Sequence, residues 1–247
     1  MNTEYFRKTY RARFKFLTGI KKKCPYEFIT LPFCYASAIS SYLWPIQKEG
    51  EKIDKARFCQ LLVEFGPEDM RSISLPLLYH KSSPTEKRIL ADRFPILEPT
   101  GLIITSKEID CNEAGVGDII GKIGVEKIRK YSYAAIFYSE LRCPLVHTGW
   151  TSRDISTHPM HDNPEETSYV NELIVPAKKQ VEEYAAIHKL DFTVARRRLV
   201  YTVHRLYLSH AGIVRAIRAA IFKVIEYWDG VDRWEKPRPS GWWIHGG

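Results

Sequence analysis

Phe137-Tyr138-Ser139-Glu140-Leu141-Arg142-Cys143-Pro144-Leu145-Val146-His147-Thr148-Gly149 closes the strongest helical pattern in the chain. The pattern opens at Val125 and runs to Leu141. Ile128, Tyr131, Ala135, Tyr138 and Leu141 track one side, and Glu126, Lys127 and Lys130 fall largely on another. Pro144 has no N–H to donate and disfavours helical geometry at Cys143, so a kink or a fresh turn is expected there. Gly149 is the expected stop. Arg142 and His147 stand in this last stretch with four residues between them. A guanidinium is a permanent planar fork that fits a phosphate, and an imidazole moves protons near neutral pH. The plain readings are a surface charge and a histidine favoured by the helix dipole.

Outward from this stretch the chain reads as helix after helix. Thr3 to Leu17 carries Phe6, Tyr10 and Phe14 at helical spacing among Arg7, Lys8, Arg11, Arg13 and Lys15; Gly19, Lys21-Lys22-Lys23 and Pro25 end it. Such a basic, aromatic helix either touches nucleic acid or docks on the core with a solvated cationic face. Pro32 suits the first turn of a helix to Leu43 that is apolar nearly all round. Asp54 reads as the N-cap of Lys55 to Phe65, and Gly66-Pro67 stops that helix. Thr85 to Phe94 is a short helix, and Leu102 to Thr105 is the one clear strand signal, with no evident pairing partner. Trp150 to Glu166 reads as an exposed loop. Ser168 to Ile187 and Phe192 to Trp228 read as helical, with breaks at Pro176 and near Ser209 to Gly212. Arg196, Arg197, Arg198 and Arg205 decorate the last pattern as a candidate RNA-binding track.

Composition bounds the function classes. The chain has 247 residues and 45% hydrophobic residues, enough for a sizeable core. Lys plus Arg number 37 against 29 Asp plus Glu, a formal charge of +8, which favours anionic partners. Cys24, Cys34, Cys59, Cys111 and Cys143 are scattered, with no metal-ligand spacing and no disulfide framework. Reduced thiols without a signal peptide fit a cytoplasmic protein. Phe28 to Gln47 is uncharged but holds Pro32 and Pro45, which favours a buried helix over a membrane span. His158, His161 and Asp162 lack a further ligand at motif spacing, and the glycines at 115, 117, 121 and 124 lack phosphate-loop spacing. No metal site and no cofactor are expected. The fold class is mainly α: a helical bundle with additional helices and a long loop. It divides into a basic, aromatic N-terminal helix (1–24), a helical domain (25–228) and a Trp-rich irregular tail (229–247).

The order of these features resembles the HEPN superfamily (higher eukaryotes and prokaryotes nucleotide-binding domains). The resemblance rests on the core helix to Leu43, Ala56-Arg57-Phe58, Leu61 to Phe65, Leu75 to Tyr79, the Ser139 to His147 stretch and the final helical pair. The family signature is Arg, four to six residues, then His; Arg142-Cys143-Pro144-Leu145-Val146-His147 matches it. Cys143 stands where many members carry a polar residue, often asparagine. The resemblance implies metal-independent RNA cleavage at a composite site between two copies in a homodimer, in a toxin or defence effector whose partners include an antitoxin or an activating protein. Arg142 would hold the phosphate and His147 would act as general acid or base, with Tyr138, Glu140, Cys143 and Thr148 as accessories. The rivals are a catalytically silent module that binds RNA, nucleotide or protein, and an unrelated helical interaction protein.

Overall fold

The computed structural model describes residues 3–45, 53–97, 103–105, 110–152, 155–158, 168–174, 177–199 and 201–230. The fold is mainly α. Its principal core gathers around α11 (His210–Asp229), which packs on α1 (Thr3–Ile20), α2 (Pro25–Leu43) and α3 (Asp54–Phe65). The burial follows the apolar spacing. Tyr10, Phe14 and Leu17 turn inward from α1; Ile213, Ile217, Ile221, Val224 and Trp228 turn inward from α11. Phe33 is fully buried at the centre and packs on Phe58 and Phe137. A smaller core joins Leu75 and Leu78 of α4 (Leu75–His80), Leu90 of α5 (Pro84–Arg93), Ile119 and Ile123 of α6 (Gly117–Ile123), and Ile128 of α7 (Val125–Arg129).

The helix expected from Val125 to Leu141 is two helices. It stops after α7 and restarts at Tyr133, because Ser132 takes an extended conformation (φ −67, ψ 151) and caps the new start, its Oγ accepting from the Ala135 N–H at 3.3 Å. Distant chain fixes this break: the Ser74 N–H donates to the Tyr131 carbonyl (2.8 Å) and the Tyr133 N–H to the Ser72 carbonyl (3.0 Å). The restarted helix, α8, runs Tyr133–Ile136, passes through a π-helical segment Phe137–Arg142, and continues as Cys143–Thr148.

Two end assignments also shift. α2 starts at Pro25, not Pro32. Pro25 sits in the first turn where its missing N–H has no intrahelical role, and Pro32 lies buried inside the helix. Asp54 is the first residue of α3 rather than its cap, and it pairs with Arg57 one turn on.

The larger departure is a four-stranded sheet. β1 (Ile103–Thr105) does have a partner, antiparallel β3 (Ser168–Ile174). β3 pairs antiparallel with β4 (Tyr201–Ser209), and β4 pairs parallel with β2 (Ile155–His158), in the order β1-β3-β4-β2. The stretches expected as helix at 168–174 and 201–209, and as loop at 155–158, are therefore strands. Short apolar runs carry no decisive period; what decides them is a partner far away in sequence, here across the helices α9 (Lys178–His188) and α10 (Phe192–Leu199). The weak point near Ser209 is a real boundary: Ser209 Oγ accepts from the Gly212 N–H at 2.9 Å and caps α11. Asp191 likewise accepts from the Thr193 N–H (2.7 Å) at the start of α10. Residues 231–247 of the expected tail lie outside the described residues.

Candidate functional site

The chain stays helical through Pro144, but a fresh α-helical turn starts at Cys143 with Pro144 in its first turn, the second of the two expected outcomes. A proline inside an α-helix removes one donor and drives its ring against the carbonyl four residues back. Here the Cys143 N–H reaches the Tyr138 carbonyl, a π-type bond that widens the turn ahead of the ring. The Glu140 carbonyl, which the missing Pro144 N–H would have served, accepts from the Ser152 N–H at 3.2 Å. Beyond Pro144 the backbone is α-helical to Thr148. Gly149 ends it in the left-handed conformation (φ 75), its N–H donating to the Leu145 carbonyl at 3.1 Å.

Arg142 is half-buried between α8 and α2. Its Nε donates to Ser37 Oγ at 3.3 Å, its Nη1 lies 3.7 Å from Cys143 Sγ, and its guanidinium carbon sits 5.2 Å from the centre of the Tyr138 ring. Among the described residues no carboxylate pairs with it. Tyr138 in turn packs on Phe58 of α3. Burial, with the neighbouring Cys143 thiol, pushes the Tyr138 phenol up to about 12 against the pull of Arg142, so Tyr138 stays a neutral ring under the guanidinium. His147 is exposed five residues, about 1.4 turns, further on. On α-helical backbone the two side chains diverge by about 140° and are displaced by about 7.5 Å along the axis.

The other expected accessories divide by role. Cys143 and Tyr138 touch Arg142. Thr148 caps the helix end: its hydroxyl donates to the Pro144 carbonyl (2.8 Å) and accepts from the Trp150 N–H (3.3 Å). Glu140 contributes the backbone carbonyl already described and lies half-buried on the π segment. Ser37, 105 residues before Arg142, is a contact that no local spacing signals. The arginine track does not lie on one helix: Arg196, Arg197 and Arg198 are on α10, with Arg196 exposed, whereas Arg205 is on β4. His158 is the last residue of β2; His161 and Asp162 lie outside the described residues.

A cavity of about 500 Å³ opens elsewhere, between the starts of α8 and α11. It is lined by Asp69, Tyr133, Phe137, Ser209 and Arg215 among others and shares no lining residue with Arg142 or His147. Burial raises the Asp69 carboxyl there, and Arg215 opposes the shift. Beneath it the buried Tyr133 hydroxyl donates to Asp110. Among the described residues no three His, Cys, Asp or Glu side chains gather as a metal site, and no helix is long and apolar enough to cross a membrane. No family model, no curated protein and no solved structure matches this chain.

Proposed function

We propose that the chain is a HEPN-like endoribonuclease that cleaves RNA by general acid–base chemistry, with Arg142 and His147 as its catalytic pair. The observation that carries the reading is the state of Arg142. A cation with no carboxylate partner among the described residues is stacked on a neutral tyrosine and oriented by Ser37, about 1.4 helical turns from an exposed histidine. An arginine held this way keeps donors free for an anion that arrives from solvent.

In this reading Arg142 holds the scissile phosphate and offsets charge developing on its oxygens. His147 takes the proton of the 2′-hydroxyl, whose oxygen attacks phosphorus. The 5′-oxygen leaves and takes a proton from a second imidazole, giving a cyclic phosphate and a free hydroxyl. The divergence of about 140° keeps one copy's Arg142 and His147 from converging on one atom. A second copy supplies the missing geometry. The surface around His147 supports this: Val146 is 39%, Trp150 68% and Tyr26 46% exposed, and Tyr26 and Trp150 rings touch each other. Apolar groups beside the motif suit an isologous interface.

The test is RNA cleavage in EDTA by the wild type, His147→Ala and Arg142→Ala. Each substitution is expected to lower the rate by roughly 100-fold or more, with thermal stability of His147→Ala unchanged because the side chain is exposed. Equal cleavage by all three, or none by any, defeats the nuclease reading. Binding of RNA that stays intact favours the catalytically silent module instead, which accords with the internal contacts Arg142 already makes with Ser37 and Tyr138.

A further inference from the structure

α2 lies between α1 and α8, and the three helices run alternately. The short Lys21–Cys24 turn makes α1 and α2 antiparallel. Tyr26 at the start of α2 meets Trp150 just past α8, while Ser37 further along α2 meets Arg142 earlier in α8, so these two are antiparallel as well. Two arginines flank α2. On the α8 side Arg142 contacts Ser37. On the α1 side Arg13 stacks on Tyr35, 5.0 Å from the ring centre, and on Tyr10 at 5.1 Å. Tyr35 and Ser37 are two residues apart, so both arginines stand at one level of α2, separated by about 3 Å along its axis. In angle they lie about 200° apart around the helix, on its opposite flanks.

The surface of α2 between those flanks is low. Cys34 and Ala38 are exposed and Ser41 is half-exposed, all small at the level of the two arginines, and Glu27 is exposed on the same face two turns toward the start of α2. The α1 wall beside it carries Arg13; Tyr5 (68% exposed) and Phe16 (58% exposed) stand about 60–80° further round α1, toward solvent, and Lys23 is exposed in the turn that follows the helix. The opposite wall carries Arg142 over Tyr138. Neither arginine has a carboxylate partner among the described residues. With neighbouring helices about 8–10 Å apart, the walls stand about 16–20 Å from one another. The result is a shallow trough with small residues on its floor between the two arginines, a cation on each side and the exposed rings of Phe16 and Tyr5 beside one edge, Tyr5 packed edge-on against Phe6.

We propose that this trough is a single-stranded RNA track, leading from Arg13, Tyr5 and Phe16 on α1 across α2 to Arg142. Phosphates pair with the two guanidiniums, and unstacked bases lie against Phe16 and Tyr5. Electrostatic contact to the backbone with stacking on aromatic side chains is how unpaired strands are held without sequence preference. A duplex offers no free base faces to Phe16 and Tyr5, so it gains only the charge contacts. The proposal rests on the nuclease reading for its endpoint at Arg142, and names the path by which substrate reaches it.

Binding is measured on the His147→Ala protein, so no cleavage is needed, by fluorescence anisotropy with a labelled unstructured RNA oligonucleotide. Arg13→Glu is expected to weaken binding tenfold or more, and Phe16→Ala by about fivefold or more. Arg13→Ala is expected to flatten the slope of log affinity against log salt by about 0.7. Arg11→Glu changes the charge equally on the other flank of α1, where the residue is exposed, and is expected to cost less than threefold. Equal losses for Arg11→Glu and Arg13→Glu reduce the effect to net charge and overturn the proposal. So do unchanged affinity in Arg13→Glu and Phe16→Ala, absence of RNA binding at low salt, or Arg13-dependent binding to phosphatidylserine vesicles without Arg13-dependent binding to RNA. Arg13-dependent RNA binding in a protein that never cleaves leaves the track standing and removes the nuclease.

Discussion

Replacing Asp110 with asparagine will change how stability depends on pH, in a direction opposite to that of most carboxylates. Asp110 is itself half-buried, but both oxygens face interior donors. The Tyr133 hydroxyl donates to Oδ2, and the Leu75 N–H donates to Oδ1 at 3.2 Å. These two donors favour the anion, yet burial outweighs them and raises the carboxyl to about 7. The buried Tyr133 phenol is raised well above its ordinary value, by burial and by Asp110, so it does not ionise in this range. Cys111 is also raised, to about 11, and stays a thiol. In the unfolded chain Asp110 releases its proton near its ordinary value of 3.8. Between that value and about 7 the folded state therefore binds more protons than the unfolded state, and stability falls as pH rises. A shift of this size corresponds to at most about 4 kcal/mol, and the partial exposure of Asp110 brings the expectation to about 2 kcal/mol. The assay is urea unfolding of wild type and Asp110→Asn at about pH 4.5 and pH 8. The wild type should lose about 2 kcal/mol more than the variant across that interval, and the variant should be the more stable protein at pH 8. Parallel pH profiles for the two proteins would refute the reasoning, because they would mean that Asp110 is charged in the folded state throughout.

Two further substitutions test the supports of α8. Ser132→Ala removes the cap of the Ala135 N–H and the 3.0 Å bond to the Arg129 carbonyl, and is expected to cost about 1 kcal/mol in urea unfolding; an unchanged midpoint would show that the cap contributes nothing. Gly149→Ala places a Cβ in open space but at φ 75, so its cost of about 1 kcal/mol is purely conformational and should appear as a lower melting temperature with no new cavity or clash.

The helical part of this fold was legible because its signals are local. Tyr10, Phe14 and Leu17 bury one face of α1, as their spacing requires, and Gly66 and Gly149 stop the helices that precede them. The sheet was not legible. Val170, Leu173 and Ile174 satisfy helical spacing as readily as extended spacing, and Pro176 is an acceptable stop for either. What selects the strand is pairing of Ser168–Ile174 with Tyr201–Ser209, a choice made between segments about 30 residues apart. The site divides along the same line. Tyr138 stands four residues before Arg142, so their contact is implicit in a helix. Ser37 is not implicit, because its position opposite Arg142 depends on how α2 and α8 pack.

Pro144 connects that packing to the motif. A proline at this depth in a regular helix costs about 3 kcal/mol through the lost bond and the ring clash. In α8 both consequences are met locally: the π-type bond from Cys143 to Tyr138 makes room for the ring, and Ser152 satisfies the Glu140 carbonyl. Widening a turn in this way fits one extra residue into it, which redirects every later side chain by about 100° relative to an uninterrupted α-helix from Tyr133. Leu145 then points into the core, Arg142 lands between Ser37 and the Tyr138 ring, and His147 faces solvent. The spacing of arginine and histidine alone therefore does not specify where their side chains point. Their directions follow from the proline between them, acting through the π segment it requires.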